Sequence, residues 1–170
     1  MSKRELKIYL EELTKSQLQE QVLDLYARFK SVKTYYNFVF KPNEEKLLEE
    51  AKFKMAKEYF PLSTRKPKAR RSVAQKIIKH FIQLGVDSFI IAEVMLFNIE
   101  VAQKFSKKKT TNQVAFYKGM FNSFKEAVSY INEHIMLTDF KPRLNNICKE
   151  SINQEWVNKD AFVAIFDTLN

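Results

Sequence analysis

Ser88-Phe-Ile-Ile-Ala-Glu-Val-Met-Leu-Phe-Asn-Ile-Glu-Val-Ala-Gln-Lys-Phe-Ser106 is the stretch that decides the fold. Wound at 3.6 residues per turn, it puts Phe89, Ile90, Ile91, Val94, Met95, Leu96, Phe97, Ile99, Val101, Ala102 and Phe105 on nearly every side. A helix that is hydrophobic all round must be covered all round, so this one is expected at the centre of the fold. Its most apolar part, Phe89 to Phe97, is interrupted by Glu93 and is too short to span a bilayer.

Working outward, Asp87 is placed to cap this helix, and Gly85 stands where the C′ residue of a preceding helix belongs. That preceding helix, capped by Ser72, has an apolar side of Val73, Ile77, Ile78, Phe81 and Leu84 and a polar stripe of Ser72, Lys76, Lys79, His80 and Gln83. The pair invites comparison with a helix-turn-helix. Such a motif needs polar side chains on the exposed face of its second helix, and an all-apolar one cannot read base edges.

After Lys107-Lys108-Lys109, Thr111 can cap a long helix with Phe116, Met120, Phe121, Phe124, Ala127, Val128 and Ile131 on its buried side. Two more helices are expected from about Thr138-Asp139 and from Asn158. On the other flank, a short charged helix precedes Thr14-Lys-Ser-Gln17, which has the spacing of a capping box. Leu18, Val22, Leu25, Phe29, Val32 and Tyr36 then alternate steps of four and three, as one amphipathic helix packed on a core would. Past the aromatic cluster Tyr35, Tyr36, Phe38 and Phe40, Asn43 can cap a helix ending near Phe60-Pro61.

Two glycines in 170 residues leave few positions for tight β-hairpins. The expectation is an all-α fold: a single compact domain, 1–170, of about eight helices around a buried central one. A short HEAT-like α-solenoid is the alternative, since about 42 residues per helix pair is near that repeat length. The one cysteine, Cys148, excludes an intramolecular disulfide and reads as a small buried hydrophobe. No signal peptide is apparent at the charged N-terminus. A soluble, cytoplasmic protein with no membrane association is expected.

Charge is where function is most legible. The chain carries +9 overall, but residues 59–125 hold 13 Lys and Arg against three acids, while 1–58 and 126–170 carry +2 and −3. Between Tyr59 and Val86 there are seven basic side chains and no acid. Arg65, Lys66, Lys68, Arg70 and Arg71 fall in a Pro-bounded loop from Ser63, continued by Lys76 and Lys79 about one helical turn apart. Together with Lys107, Lys108 and Lys109 they form the candidate nucleic-acid-binding set, able to neutralise several phosphates. Tyr59, Phe60 or the Tyr35–Phe40 cluster are candidates to stack on unpaired bases. The leading expectation is therefore non-catalytic binding of RNA or non-specific DNA. The second is an interaction module docking an acidic protein surface. A structural reading is equally simple: the loop's charges balance acids such as Glu11, Glu12, Glu44, Glu45, Glu49 and Glu50.

Signatures of catalysis are absent: no Gly-rich phosphate loop, His-Glu-x-x-His, Cys-x-x-Cys or Gly-x-Ser-x-Gly. No catalytic residue, metal ligand or cofactor is nominated. His80 belongs to a basic surface stripe, and His134 to a helix C-terminus, where an imidazolium is favoured. Glu93 and Glu100 lie seven apart on the apolar helix and so project alike. An enzyme using that pair is the third expectation. The competing reading gives Glu100 to Lys104, four residues on, and Glu93 to a cation of an adjoining helix.

The stretch Thr64-Arg-Lys-Pro-Lys-Ala-Arg-Arg-Ser-Val-Ala-Gln-Lys-Ile-Ile-Lys-His-Phe-Ile-Gln-Leu-Gly-Val-Asp87, after an opening Ser2-Lys-Arg-Glu-Leu6, resembles a family of small uncharacterised bacterial proteins of the Bacteroidota that carry a domain of unknown function. The resemblance implies a cytoplasmic bacterial protein, which argues against reading the basic run as a nuclear-localisation signal. It brings no activity, substrate or site.

Overall fold

The computed structural model describes residues 1–62, 64–108 and 114–169. The described residues are all-α, with helices α1 (Lys3–Glu11), α2 (Lys15–Arg28), α3 (Lys30–Phe40), α4 (Glu44–Tyr59), α5 (Arg71–Leu84), α6 (Ser88–Lys108), α7 (Val114–Glu133), α8 (Leu137–Asn153) and α9 (Lys159–Asp167). They divide into two compact units, Met1–Pro42 and Asn43–Asn170. Among them no helix is long and apolar enough to cross a membrane.

In the first unit the capping box forms: Thr14 Oγ1 accepts from the Gln17 N–H at 3.3 Å and Gln17 Oε1 accepts from the Thr14 N–H at 2.9 Å. The single long helix expected behind it does not form. Phe29 is extended (φ −112°, ψ 112°) and divides it into α2 and α3. The break lets α3 turn back, so that the Tyr26 hydroxyl donates to Asn37 Oδ1 at 3.2 Å and the Tyr26 and Tyr36 rings come within 6.4 Å. A local period cannot report such a break. None of the residues of α1, α2 or α3 is buried, against the expectation that this helix lies on a core.

In the second unit α6 is the centre, packed against α4, α5, α7 and α8. Leu96, Ile99, Val94, Ala92 and Ala102 have no exposed surface. Its packing runs to the helices one and two places away in sequence on either side, a pattern that stacked two-helix repeats also give. Three residues depart from the all-round burial of the sequence reading: Phe89 is exposed, Ile90 half-buried, and Phe97 half-buried beneath Lys52, whose Nζ stands 5.5 Å from the ring centre. The buried side of α7 is as expected at Met120, Phe124, Ala127, Val128 and Ile131, with Phe116 and Phe121 half-buried. Thr111, expected to cap this helix, and Lys109 lie outside the described residues.

The helix ends share one device. Val86 N–H bonds the Phe81 carbonyl, Met136 N–H that of Ile131, and Trp156 N–H that of Ser151. Each is the six-to-one bond of a Schellman motif around a left-handed residue. Gly85 (φ 73°) fills that position after α5, as expected, but Ile135 (φ 58°) and Glu155 (φ 52°) fill it after α7 and α8. Asn43 and Asp87 also cap as expected, accepting from Lys46 N–H and Phe89 N–H. Ser72 does not cap: α5 starts two residues earlier than that cap would set, after Arg70, and has no side-chain cap.

Candidate functional site

The α4–α5 connection is built on one residue, Glu58. An acid in the last turn of a helix faces the negative end of the macrodipole and needs a cation to be stable there. Arg70 supplies it bidentately, Nε to Oε2 at 2.8 Å and Nη2 to Oε1 at 2.9 Å. The Glu58 main-chain carbonyl also accepts from the N–H groups of Lys68 (3.0 Å) and Ala69 (2.9 Å). Four hydrogen bonds thus fold the connection back on the end of α4, with Ala69 left-handed (φ 47°) to make the turn. The Arg70 hydrogen bond holds the Glu58 carboxyl below its ordinary range despite burial.

Folding the connection back encloses a cleft of about 350 Å³ lined by Lys57, Glu58, Pro61, Leu62, Arg65, Lys66, Lys68 and Arg70. Five cations and one carboxylate line it, the kind of one-signed cleft that raises the local concentration of an anion. Four of the cations nominated from the sequence (Arg65, Lys66, Lys68 and Arg70) come together here. Lys66 and Lys68 are exposed. Lys76 and Lys79 are exposed on α5.

Arg71, Lys107 and Lys108 of the nominated set have partners within the chain. Arg71 runs across Gly119 on α7, donating from Nε to Ser123 Oγ at 2.9 Å and from Nη2 to Glu126 Oε1 at 2.6 Å. Residues 119, 123 and 126 lie on one stripe of α7, which makes a track for the guanidinium stem. Ser123 Oγ in turn accepts from Asn98 Nδ2, and Asn98 Oδ1 from the Tyr59 hydroxyl, so Arg71 closes a polar chain into the core. Lys107 pairs with Glu150 at 3.4 Å, and Lys108 lies over the Phe60 ring at 5.5 Å. Tyr59 is buried and cannot stack on a base. The Tyr35, Tyr36 and Phe40 rings pack on one another within the first unit.

Sequence reasoning misses Lys57 and Glu58, because the acid-free basic run begins only at Tyr59. The usable signal was an acid in the last turn of a helix with an arginine pair a dozen residues on, a placement the macrodipole disfavours unless a cation returns to it.

Glu93 and Glu100 sit in an ion network. Arg143 on α8 spans both, bonding Glu93 Oε2 through Nη1 and Glu100 through Nε (2.8 Å) and Nη2 (2.9 Å), while Lys52 Nζ donates to Glu93 Oε1 at 2.6 Å. Glu93 therefore reaches adjoining helices, as the structural reading held, but Glu100 is held by Arg143 in place of the expected Lys104. Burial alone would raise the Glu93 carboxyl; the Lys52 hydrogen bond and the Arg143 charge reverse this and hold it below its ordinary range. Burial pushes the Cys148 thiol up to about 12, so it is no ready nucleophile. Among the described residues no group of three or more His, Cys, Asp and Glu could hold a metal ion.

A family model described as "Family of unknown function (DUF6155)" matches residues 1–170. The chain belongs to that family. No curated protein and no solved structure matches it.

Proposed function

We propose that this member of the family is a non-catalytic nucleic-acid-binding protein, gripping RNA or non-specific DNA by its phosphates along the cleft and the adjoining face of α5. What supports the reading is the cleft itself: Lys57, Lys66 and Lys68 line a concavity whose one carboxylate is already matched by Arg70. Lys76 and Lys79 continue the charge on α5. A bacterial, cytoplasmic setting belongs to the same proposal. Contacts of this kind position a nucleic acid without reading its sequence.

The test is a salt titration with random single strands. About four phosphates met by lysines give a logarithmic slope near −3 and a fall in affinity of roughly 50-fold between 50 and 200 mM salt. Lys66→Ala with Lys68→Ala is expected to flatten the slope by about one to 1.5 units and to leave the helical content unchanged, since both side chains are exposed. Failure of the wild-type protein to retain random RNA or DNA at about 50 mM salt ends this reading.

One observation favours the second reading, a module that docks an acidic protein: Leu62, at the lip of the cleft, is 78% exposed. An apolar anchor inside a charged rim is ordinary interface anatomy. Under that reading Leu62→Ser weakens partner binding and has no counterpart in polynucleotide retention.

A further inference from the structure

The cleft holds more positive charge than an internal phosphodiester uses. The Arg70–Glu58 pair is neutral as a unit. With Arg65 also left out of the count, the side chains of Lys57, Lys66 and Lys68 still line a volume of about 350 Å³. That is near the lower end of small-ligand sites, roughly 300–1,000 Å³, and suits a single nucleotide. Lys57 stands 4.0 Å over the Phe53 ring, which fixes its position without neutralising it. Lys66 and Lys68 form no ion pair among the described residues.

An internal nucleotide brings one negative charge into such a space, whereas a terminal phosphomonoester brings about 1.5 to 2 near neutral pH, with three acceptor oxygens. Three cations lining one cleft repel one another, and an anion of matching charge between them relieves that repulsion. Pro61 and Leu62 add an apolar lip on which a sugar or base can rest. The four hydrogen bonds to Glu58 hold this arrangement before any ligand arrives, so little ordering is left to binding.

We infer that the cleft takes the terminal phosphate of a nucleic-acid strand, leaving Lys76 and Lys79 to internal phosphates. This rests on the nucleic-acid reading above and narrows it to strand ends.

The experiment compares single strands of about 12 nucleotides, a length within the range of single-strand sites. They carry a 5′-phosphate, a 3′-phosphate or no terminal phosphate, and a free nucleoside monophosphate is titrated beside them. One phosphorylated end is expected to bind at least about tenfold tighter than the unphosphorylated strand, as for added charge-assisted hydrogen bonds. Lys66→Ala with Lys68→Ala is expected to erase that preference while weaker binding of all three strands persists. Equal affinity for the three strands in the wild-type protein overturns the inference and leaves the binding reading standing. A preference that survives the double substitution overturns it too, by placing the end elsewhere. A free monophosphate that binds as tightly as the phosphorylated strand replaces the strand end with a small-molecule site. Binding of no strand at all removes the underlying reading as well.

Discussion

Phe124→Ala is expected to lower the stability of the chain by about 3–5 kcal/mol in urea denaturation, the range for deleting a large buried aromatic. Phe124 has no exposed surface and packs its ring 4.9 Å from that of Phe162, itself fully buried. It projects from α7 at the junction with α6 and α9, helices that pack against α7. The site cannot collapse easily, because the neighbouring wall is made of two helices held independently by α4 and α8. Phe97→Ala, on the helix that decides the fold, is expected to cost clearly less, since Phe97 is half-buried. Equal losses for the two variants, or a near-neutral Phe124→Ala, would contradict the packing described.

Arg143→Ala is the second large effect. It leaves Glu93 and Glu100 facing each other with only Lys52 as counter-charge. Side-chain exposure of 28% for Arg143, 21% for Glu93 and 29% for Glu100 places the network between buried and surface behaviour. Removing one partner of a fully buried pair costs about 3–5 kcal/mol, so about 2–4 kcal/mol is expected here at neutral pH. The sign with pH follows from Glu93. Its folded-state carboxyl lies below the ordinary 4.5, so it contributes stability above that value, which is lost as pH falls through the folded-state value. The wild type should therefore weaken on acidification below about 4.5, while the variant, whose carboxylates are relieved by protonation, narrows its deficit over the same range. Arg143→Met combined with Glu93→Gln and Glu100→Gln should recover most of the loss. A deficit below about 1 kcal/mol, as for an exposed pair, or one that widens in acid, would show that the network is ornamental.

These two sites also mark what the sequence could reveal. Capping at Thr14, Asn43 and Asp87 was legible because each depends on a side chain meeting backbone within a few residues, and at Gly85 because a left-handed helix end favours the residue with no Cβ. The central place of α6 was legible because its apolar residues leave no side for water. Tertiary choices were not. The break at Phe29 depends on where Tyr36 and Asn37 find partners, and the partner of Arg143 lies 43 to 50 residues away. Among the cations, the run of charge located the candidate site, but charge alone could not separate Arg70 and Arg71, paired with Glu58 and with Ser123 and Glu126, from Lys66 and Lys68, which form no ion pair among the described residues. Arginine's planar fork suits fixed internal pairing as well as phosphate, so it was the less informative of the two residue types. Glu58 went unnoticed for a related reason: an acid beside a basic run looks like neutralisation until its four hydrogen bonds are seen to shape the cleft.

The central claim is that local charge in the α4–α5 cleft, not net charge, binds nucleic acid. Two charge-matched variants test it most directly. Lys66→Glu with Lys68→Glu reverses two charges in the cleft; Lys46→Glu with Lys149→Glu reverses two exposed charges, one near the opposite end of α4, roughly 17 Å from Lys57 along the helix, and one on α8. Net charge is the same in both. With a random single strand at about 100 mM salt, the cleft variant is expected to lose affinity by a factor on the order of 100, and the control variant to stay within about threefold of wild type. Equal losses in the two variants, or undiminished binding by the cleft variant, would contradict the account.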